Sequence, residues 1–561
     1  MPLLVFAVTG MGGIGKTALA VEAAHRARGK GWFPGGTLFV DLRGYDEDPA
    51  TADQAVLALL DALGVRDGDL PPTTDRQYDA YRALLAERRD RMLLILDNAS
   101  DPAQYLPLLP GTDHHRVLIT SRDRPDALPV RLIDLETLSP DDSVALVTRA
   151  LHNTDERDER PAHESEALRE LTRLCGHLPL ALQIAAGMLR RRRHRDIASL
   201  VNEIRDAGDP ATVLDRGSPG TDLYGRSLVL RPVLETSYRR LLPNQARLLR
   251  LLCLAPGAET GTEAIAALTD LDTESVVSLL EDLAARYLIM PVRSGNGTAS
   301  AVRWRLHDLV RVFGAGVVVG DAGSRKEGEA ARERVLGFYV RWADAADDRL
   351  RWRPGMEEPE RFGDRVQALA WLDTERAGLV AAVEWGREER FAGTAVRLAE
   401  CLGEYLHWRR YFDDWIAVAE AAREAAQLVG ERLDEAMAWN DLGIALREAG
   451  RTEEATDAHI RARNLYQAAG DRHSEASTWN NLGIALREAG RTEEAIDTHI
   501  RARNLYQAAG DRHSEASAWN NLGSALEEAG RTEEAIDTHI RARNLYQAAG
   551  DRHSEASAWN N

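Results

Sequence analysis

The amino-acid sequence predicts a multidomain chain, with an α/β phosphate-binding core at the N-terminus and an all-α solenoid at the C-terminus. Three observations carry this expectation. At 561 residues the chain is too long for one hydrophobic core. An apolar run, Leu3 to Val8, passes into the glycine-rich stretch VTGMGGIGKTAL (residues 8–19) and on into the helical pattern KTALAVEAAHRAR. Trp439, Trp479, Trp519 and Trp559 recur at intervals of 40 residues, in text that repeats almost letter for letter.

The strand, loop and helix of the first segment meet the pattern G-x-x-x-x-G-K-[ST] at Gly10, Gly15, Lys16 and Thr17, with Gly12 and Gly13 in addition. Glycines let the backbone curl so that successive N–H groups face phosphate oxygens at the positive end of the following helix. Gly10, Gly12, Gly13, Gly15, Lys16, Thr17 and Ala18 are therefore the candidate phosphate-binding residues. Lys16 is expected to neutralise the β/γ-phosphates, and the Thr17 hydroxyl to ligate Mg²⁺. The chain has only three lysines, Lys16, Lys30 and Lys326. A lysine kept at the loop where arginine serves nearly everywhere else points to a chemical requirement. Cradles of this kind serve hydrolases, kinases, motors and switches alike, so the loop alone does not choose among them.

Further strands follow in order. GTLFVDLRG (36–44) reads as a short buried strand, and RMLLILDNAS (91–100) as another whose apolar run ends in Asp97, where a parallel sheet presents ligand-facing groups. Asp97 is the expected Mg²⁺ partner of Thr17. The next position, where a hydrolase of this kind would carry a second acid to deprotonate water, is Asn98. An amide cannot act as a general base, although Asp101 stands nearby as a substitute. RVLITSR (116–122) ends in Arg122, a fixed charge able to sense a γ-phosphate. Asp97 and Arg122 are the candidate catalytic groups. VRLIDLETLSPDDSVAL (130–146) reads as a fifth strand followed by a helix with a Ser139/Asp141-type cap.

Composition narrows the classes. The net charge of −19 argues against a chain that binds nucleic acid or anionic membranes over its whole surface. Cys175, Cys253 and Cys401 are isolated and odd in number, which suits a reducing cytoplasm and makes a disulfide framework improbable. MPLLVFAV lacks a basic n-region and leads at once into the phosphate loop, so it reads as a strand and not as a signal peptide. No run is long enough to span a membrane.

By LCGHLPLAL (174–182) the succession resembles the NB-ARC branch of the STAND signal-transduction ATPases, as found in plant resistance proteins, apoptosome proteins and actinobacterial regulators of the AfsR type. The residues that carry the resemblance are GMGGIGKTAL, LLILDN, LITSR, GHLPLAL and RLHDLVR (305–311), in the family's order. FPGGTLFVDLRGYD (33–46) and LDNASDPAQYLPLLPG (96–111) look most like the actinobacterial branch. The resemblance implies a P-loop core (1–137), a helical lid (138–224) and a winged-helix domain (225–315), and ADP or ATP with Mg²⁺ as cofactors. It implies that Pro179 contacts adenine from the lid and that His307 reaches the ADP β-phosphate and locks a closed state. The family's adenine-covering segment precedes the phosphate loop by some tens of residues, so the chain is expected to be shortened at this end.

In the winged-helix region the arginines at 247, 250, 286, 293, 303 and 305 are balanced by Glu259, Glu263, Asp270, Asp272, Glu274, Glu281, Asp282 and Asp308. That balance lacks the basic footprint of a DNA groove binder, and no direct DNA contact is expected. The basic run RRRRHR (190–195) reads as a solvated helix end.

Residues 316–430 read as degenerate helical repeats, and 431–561 as repeats of 40-residue period similar to tetratricopeptide repeats. Each unit shows two amphipathic helices, broken at 489–491 and at Gly510, with Trp479, Leu482, Gly483, Ala495, Ala502 and Tyr506 as core and His499 as a packing residue. The units starting at 479 and 519 differ only at Ile484/Ser524 and Arg487/Glu527. By resemblance these positions lie on the concave face and are the expected contacts for a protein or peptide ligand. The last unit stops two residues after its tryptophan, so truncation is expected here too.

The leading expectation is a cytoplasmic ADP/ATP switch, with a ligand on the repeats, nucleotide exchange and homo-oligomerisation on activation. A turnover ATPase and a repeat scaffold with structural nucleotide are the alternatives. Asn98 favours switch or scaffold, with at most slow hydrolysis.

Overall fold

The computed structural model describes residues 5–45, 49–65, 70–125, 129–217, 229–294, 301–353 and 356–549. Leu3, Leu4, Asp46 and Trp559 lie outside them. The chain forms two compact units, Met1–Leu254 with Thr269–Glu329, and Ala255–Leu268 with Ala330–Asn561.

The first unit is built on a five-stranded parallel sheet, β1 (Val5–Thr9), β2 (Thr37–Asp41), β3 (Leu93–Ala99), β4 (Arg116–Ser121) and β5 (Arg131–Asp134), in the order β2-β3-β4-β1-β5. The central strands are near-continuous apolar runs because both of their faces are covered. On one face lies α1 (Lys16–Gly29), against Val8, Ile95 and Leu118. The other face packs against α2 (Ala52–Ala62) and α3 (Thr74–Glu87) through Leu59, Leu60, Tyr81 and Leu85. Helix α2 starts on a full capping box between Thr51 and Gln54. The reading of β3 as ending at its acid is corrected: the strand continues through Asp97 and Asn98, with a register shift between Leu96 and Ala99 and a φ of 58° at Asn98. This bulge re-aims the side chains at the strand's C-terminal end. It is followed by α4 (Pro102–Tyr105).

A helical segment follows: α5 (Pro140–His152), α6 (Arg160–His163), α7 (Ser165–Leu174), α8 (Pro179–Arg191), α9 (Ile197–Ala207) and α10 (Pro210–Gly217). Ser139 caps α5 as its sequence suggests, accepting from Asp142 N at 3.1 Å with Pro140 in the first turn. Pro179 begins α8, where its missing N–H costs nothing. The basic run at the end of α8 is largely exposed, and the Arg160 guanidinium caps it through the carbonyls of Leu189, Arg192 and Arg195.

Next come α11 (Leu230–Arg239), α12 (Pro243–Leu252), β6 (Glu259–Gly261), α13 (Thr262–Thr269) and α14 (Thr273–Ala285). Strands β7 (Ile289–Ser294) and β8 (Ala301–Leu306) pair antiparallel and lead into α15 (Asp308–Gly320), whose N-cap is His307.

The second unit is helical over α16 (Ala322–Arg351), which begins in the first unit, α17 (Arg365–Val383), α18 (Glu389–Arg409) and α19 (Phe412–Val429). Three helix pairs then repeat: α20 (Arg432–Glu448) with α21 (Thr452–Ala469), α22 (Arg472–Glu488) with α23 (Thr492–Ala509), and α24 (Arg512–Glu528) with α25 (Thr532–Ala549). Gly490 and Gly510 end their helices at φ 75°, a backbone that only glycine adopts freely. Trp479, Leu482, Ala495, Ala502 and Tyr506 are core, as their spacing implies. His499 fills the notch of Gly483, where an added Cβ would meet its ring at 2.5 Å. Trp439, Trp479 and Trp519 each lie beside two guanidinium groups, Arg463 and Arg501 standing 4.5 and 5.0 Å from the Trp479 ring.

Candidate functional site

The phosphate-loop motif occupies the turn between β1 and α1. Gly10, Gly13 and Gly15 have φ of 144°, 81° and 97°, so three positions of the motif need a backbone that disfavours a side chain. The Lys16 ammonium turns back onto the loop and donates to Gly10 O at 2.8 Å and Met11 O at 2.9 Å. Burial and the neighbouring Arg122 guanidinium push it down to about 7, against the opposing pull of Asp97 and Asp123. Ala18 is exposed in the first turn of α1.

Thr17 Oγ1 donates to Asp97 Oδ2 at 3.1 Å, which brings the two expected metal ligands together. Thr120, on β4, donates to the other Asp97 oxygen at 2.6 Å and accepts from Asn98 N at 2.9 Å. Burial raises the Asp97 carboxyl above its ordinary value, and the two threonine hydroxyls work against that rise. Sequence reasoning missed Thr120, although it stands inside the quoted LITSR; a buried hydroxyl opposite an acid is visible only once β3 and β4 are paired. Asp101, the other acid near this strand end, is the N-cap of α4, where its carboxylate accepts from Ala103 N at 2.8 Å.

Arg122 leaves β4 toward the loop, and its side chain is held by α11, donating to Val233 O at 3.2 Å and Ser237 Oγ at 3.3 Å. Val233 itself fills the space over Gly12, where a Cβ would come within 2.4 Å of its methyl carbon. The Arg122 and Arg240 guanidinium groups lie 4.6 and 4.7 Å from the Tyr45 ring, and Arg240 also donates to Gly44 O at 2.6 Å. Tyr45 OH in turn accepts from Arg122 N at 2.9 Å. Val233, Ser237 and Arg240 carry no sequence signal, and Tyr45 stands inside the quoted FPGGTLFVDLRGYD without a role assigned to it there.

The segment around Pro179 reaches the loop from the other side. Leu180 N donates to Gly13 O at 3.1 Å, and an added Cβ on Gly13 would touch Leu180 at 3.1 Å. His307 meets the same segment. Its Nδ1 accepts from Leu309 N at 3.2 Å, which leaves the proton on Nε2, and Nε2–H donates to Gly176 O at 2.8 Å. Burial holds its imidazole neutral, below the ordinary histidine range. Both ring nitrogens thus serve protein groups, so a phosphate contact requires one of these bonds to be exchanged. Gly176, with φ 59°, has its Cβ place taken by the His307 ring at 2.4 Å. Met11, Ile14, Tyr287 and His307 line one small cavity of about 30 Å³.

A further polar cluster joins β7's approach to the sheet. Tyr287, at φ 56°, places its hydroxyl 2.7 Å from Thr9 Oγ1 and in a hydrogen bond with Asp134, and Arg124 Nε donates to it at 3.1 Å. Arg124 also pairs with Asp134 at 2.7 Å. Partial burial opposes ionisation of Asp134, but the hydrogen bonds of Thr9 and Tyr287 and the Arg124 charge hold it below the usual carboxylate range.

On the repeats, Ile484 and Ser524 are half-buried, and Ser524 Oγ donates to Asn520 O at 3.3 Å. Arg487 pairs with Glu528 at 3.5 Å, as Arg447 does with Glu488 at 3.2 Å, while Glu527 is exposed. The Arg487/Glu527 difference therefore alters an ion-pair row between neighbouring units as well as the surface. The three cysteines are buried with thiols pushed up to about 12, which makes them inert. Among the described residues no helix is long and apolar enough to cross a membrane.

Comparison with known proteins agrees with this arrangement. The NB-ARC domain family matches residues 2–156, and the tetratricopeptide repeat family matches 434–508 and 474–548. The chain is 35% identical over 82% of its length to regulatory protein AfsR of Streptomyces griseus, and 34% identical over 81% to that of Streptomyces coelicolor, covering 46% and 44% of those proteins. Apoptotic protease-activating factor 1 of Rattus norvegicus is 22% identical over 81% of the chain, with 35% of that protein covered. The chain thus spans about half the length of the AfsR relatives it matches.

Proposed function

From an NB-ARC domain followed by tetratricopeptide repeats we propose that the chain is a cytoplasmic ADP/ATP switch of STAND type, with at most slow ATP hydrolysis. The phosphate loop with Lys16 holds the phosphates, Thr17 and Asp97 hold Mg²⁺, and Pro179 covers the base. The donor set fits such a ligand: a curled glycine backbone, an ammonium at its centre and a hydroxyl–carboxylate pair 3.1 Å apart. When bound, the cation would neutralise phosphate charge. The protein's own part is to position the phosphates and to report their presence.

The observation that carries the switch reading is the engagement of the sensing residues. Arg122 is tied to Val233 and Ser237, and His307 to Gly176, so the groups expected to read the nucleotide are the same groups that hold α11 to the end of β4 and the start of α15 to the turn before α8. A nucleotide that draws Arg122 or His307 away weakens those contacts and shifts the equilibrium by that difference. Asn98, in place of an acid, supports slow hydrolysis. The repeats sense a protein or peptide ligand, and activation proceeds by nucleotide exchange and oligomerisation. The resemblance to AfsR supports a regulatory role.

The deciding experiment identifies the nucleotide that co-purifies with the protein and measures its off-rate beside steady-state hydrolysis. Retained ADP, with turnover far below the roughly 1–10³ s⁻¹ of ordinary enzymes, is the expected result. Turnover within that range, abolished by Asp97→Ala, makes the protein an ATPase and overturns the switch.

A further inference from the structure

Among the places where the first repeat and the helix before it differ from the later copies is one groove on the surface. A groove of about 240 Å³ runs between α19 and α21, over α20. Its floor is Trp439, Leu442 and Leu446, and its walls are Glu420 and Arg423 on α19 and Asp457 and Arg461 on α21. One and two units later the same places are taken by residues 40 and 80 positions on. Trp479 and Trp519 keep the floor, and Arg463, Asp497, Arg501 and their equivalents keep most of the walls. The Glu420 position, however, becomes Ile460 and Ile500, both packed partly buried on the repeat core. The buried Ala458 becomes Thr498 and Thr538. Where the later units seat an isoleucine, the first presents a carboxylate beside a smaller neighbour.

Three of the six charges in its lining are tied up by the fold and three are not. Arg451 and Glu454, also in the lining, neutralise each other through two bonds of 2.7 and 2.6 Å. Arg423 is spent on Gln427 and Glu424 at 3.2 and 3.3 Å. Glu420, Asp457 and Arg461 make no side-chain hydrogen bond and no ion pair among the described residues; Arg461 only stands 4.8 Å from the Trp439 ring. The α19 wall thus offers the Glu420 carboxylate, and the α21 wall the Asp457 carboxylate and the Arg461 guanidinium one helical turn apart, above an apolar floor.

From this arrangement we infer that the groove is a binding site for a small zwitterion of the free α-amino acid class. The ammonium lies between Glu420 and Asp457, the carboxylate meets Arg461, and the side chain rests on Leu442, Leu446 and Ala458. A purely anionic ligand would face the two acids, and a purely cationic one would face the arginines. The size suits one amino acid and not a folded partner. This rests on the sensing role that the switch reading gives the repeats, and adds a small-molecule site to the protein or peptide surface named there.

The full chain is titrated calorimetrically with each proteinogenic amino acid in turn, then with the N-acetyl and amide derivatives of the best one. Binding by at least one amino acid is expected, weakened at least tenfold in either derivative and in the variant Glu420→Ile/Ala458→Thr. That variant copies residues already present two and three times over in the same fold, so it is expected to remain folded, with unchanged helical circular dichroism and melting temperature. Absence of binding by any amino acid, equal binding by the derivatives, or equal binding by the variant overturns the site. ADP release on adding the bound amino acid is read separately: binding without release keeps the site and removes its coupling to the switch.

Discussion

The phosphate loop and the repeats are built on opposite economies of contact. Around the loop each contact occurs once: Val233 over Gly12, Leu180 against Gly13, His307 against Gly176, Arg122 on Ser237. In the repeats the same contact recurs, with His459, His499 and His539 set against Gly443, Gly483 and Gly523. Trp439, Trp479 and Trp519 likewise each lie beside two arginines. A singular contact couples one group to one partner, so its loss is felt as a change of state. A repeated contact is one part of a nearest-neighbour sum, so its loss is graded and local. The first arrangement suits a device that must report a ligand, the second a surface that must hold its shape while individual positions vary.

The largest expected effect tests the shared element of the repeats. His459 and His499 are buried, and burial pushes both down to about 3, with a smaller push from Arg447 and Arg487. The unfolded chain titrates near 6.5, so it binds protons that the folded repeats refuse once the pH falls below that value. The stability these histidines contribute is full above pH 6.5 and is lost progressively toward pH 3. At a limiting slope of about 1.4 kcal/mol per pH unit for each, the pair removes roughly 4 kcal/mol between pH 7 and 5. Amide exchange in α21–α23 at pH 7 and pH 5 measures it after correction for intrinsic rates. The double variant His459→Gln/His499→Gln should flatten the dependence; if it does not, acid sensitivity lies elsewhere and the repeated histidines are packing alone.

Second in size is Lys16→Ala, which attacks the singular side. The ammonium makes a charge-assisted contact worth about 1.5–3 kcal/mol, so nucleotide affinity should fall at least tenfold. The wild type carries a second signature. Because burial and Arg122 hold Lys16 at about 7 while phosphate favours the charged form, nucleotide binding takes up a proton above pH 7, and affinity drops as pH rises from there. Calorimetry in buffers of different ionisation enthalpy reads that proton directly. Lys16→Ala must abolish it, and uptake that persists in the variant would assign the proton to another group.

This division also explains how much was legible in the sequence. The glycines, Lys16, Thr17 and Asp97 could be placed because a phosphate cradle is local: its geometry is written in consecutive residues and one strand end. The repeat core could be placed because the same residues return every 40 positions. What could not be read were the residues that meet across long separations, such as Ser237 with Arg122 and Tyr287 with Thr9, 115 and 278 positions apart. Their spacing follows no period and their types are ordinary surface types. The resemblance led to His307, but the partner seen here, Gly176 O, is a backbone atom with no letter of its own. Pairing of the strands likewise had to be known before Thr120 could be seen facing Asp97.

The smallest expected effect is the sharpest test of whether the contacts around the loop act singly. Tyr287 links the start of the β7–β8 hairpin to the sheet through Thr9, Asp134 and Arg124. None of these residues belongs to the phosphate-binding set. Tyr287→Phe keeps the ring, and with it the Arg124 contact at 5.4 Å, while removing only the hydroxyl. The loss should be about 0.5–1.5 kcal/mol, the net worth of an ordinary hydrogen bond. If this latch is independent of the nucleotide, amide exchange in β7 and β8 should quicken roughly two- to tenfold while ADP affinity stays unchanged. Unaltered exchange would mean that the hydroxyl holds nothing the rest of the interface does not. A fall in ADP affinity equal to the gain in exchange would mean that Tyr287 and the phosphate loop form one cooperative unit, and that the contacts around the loop are singular in partner but not in effect.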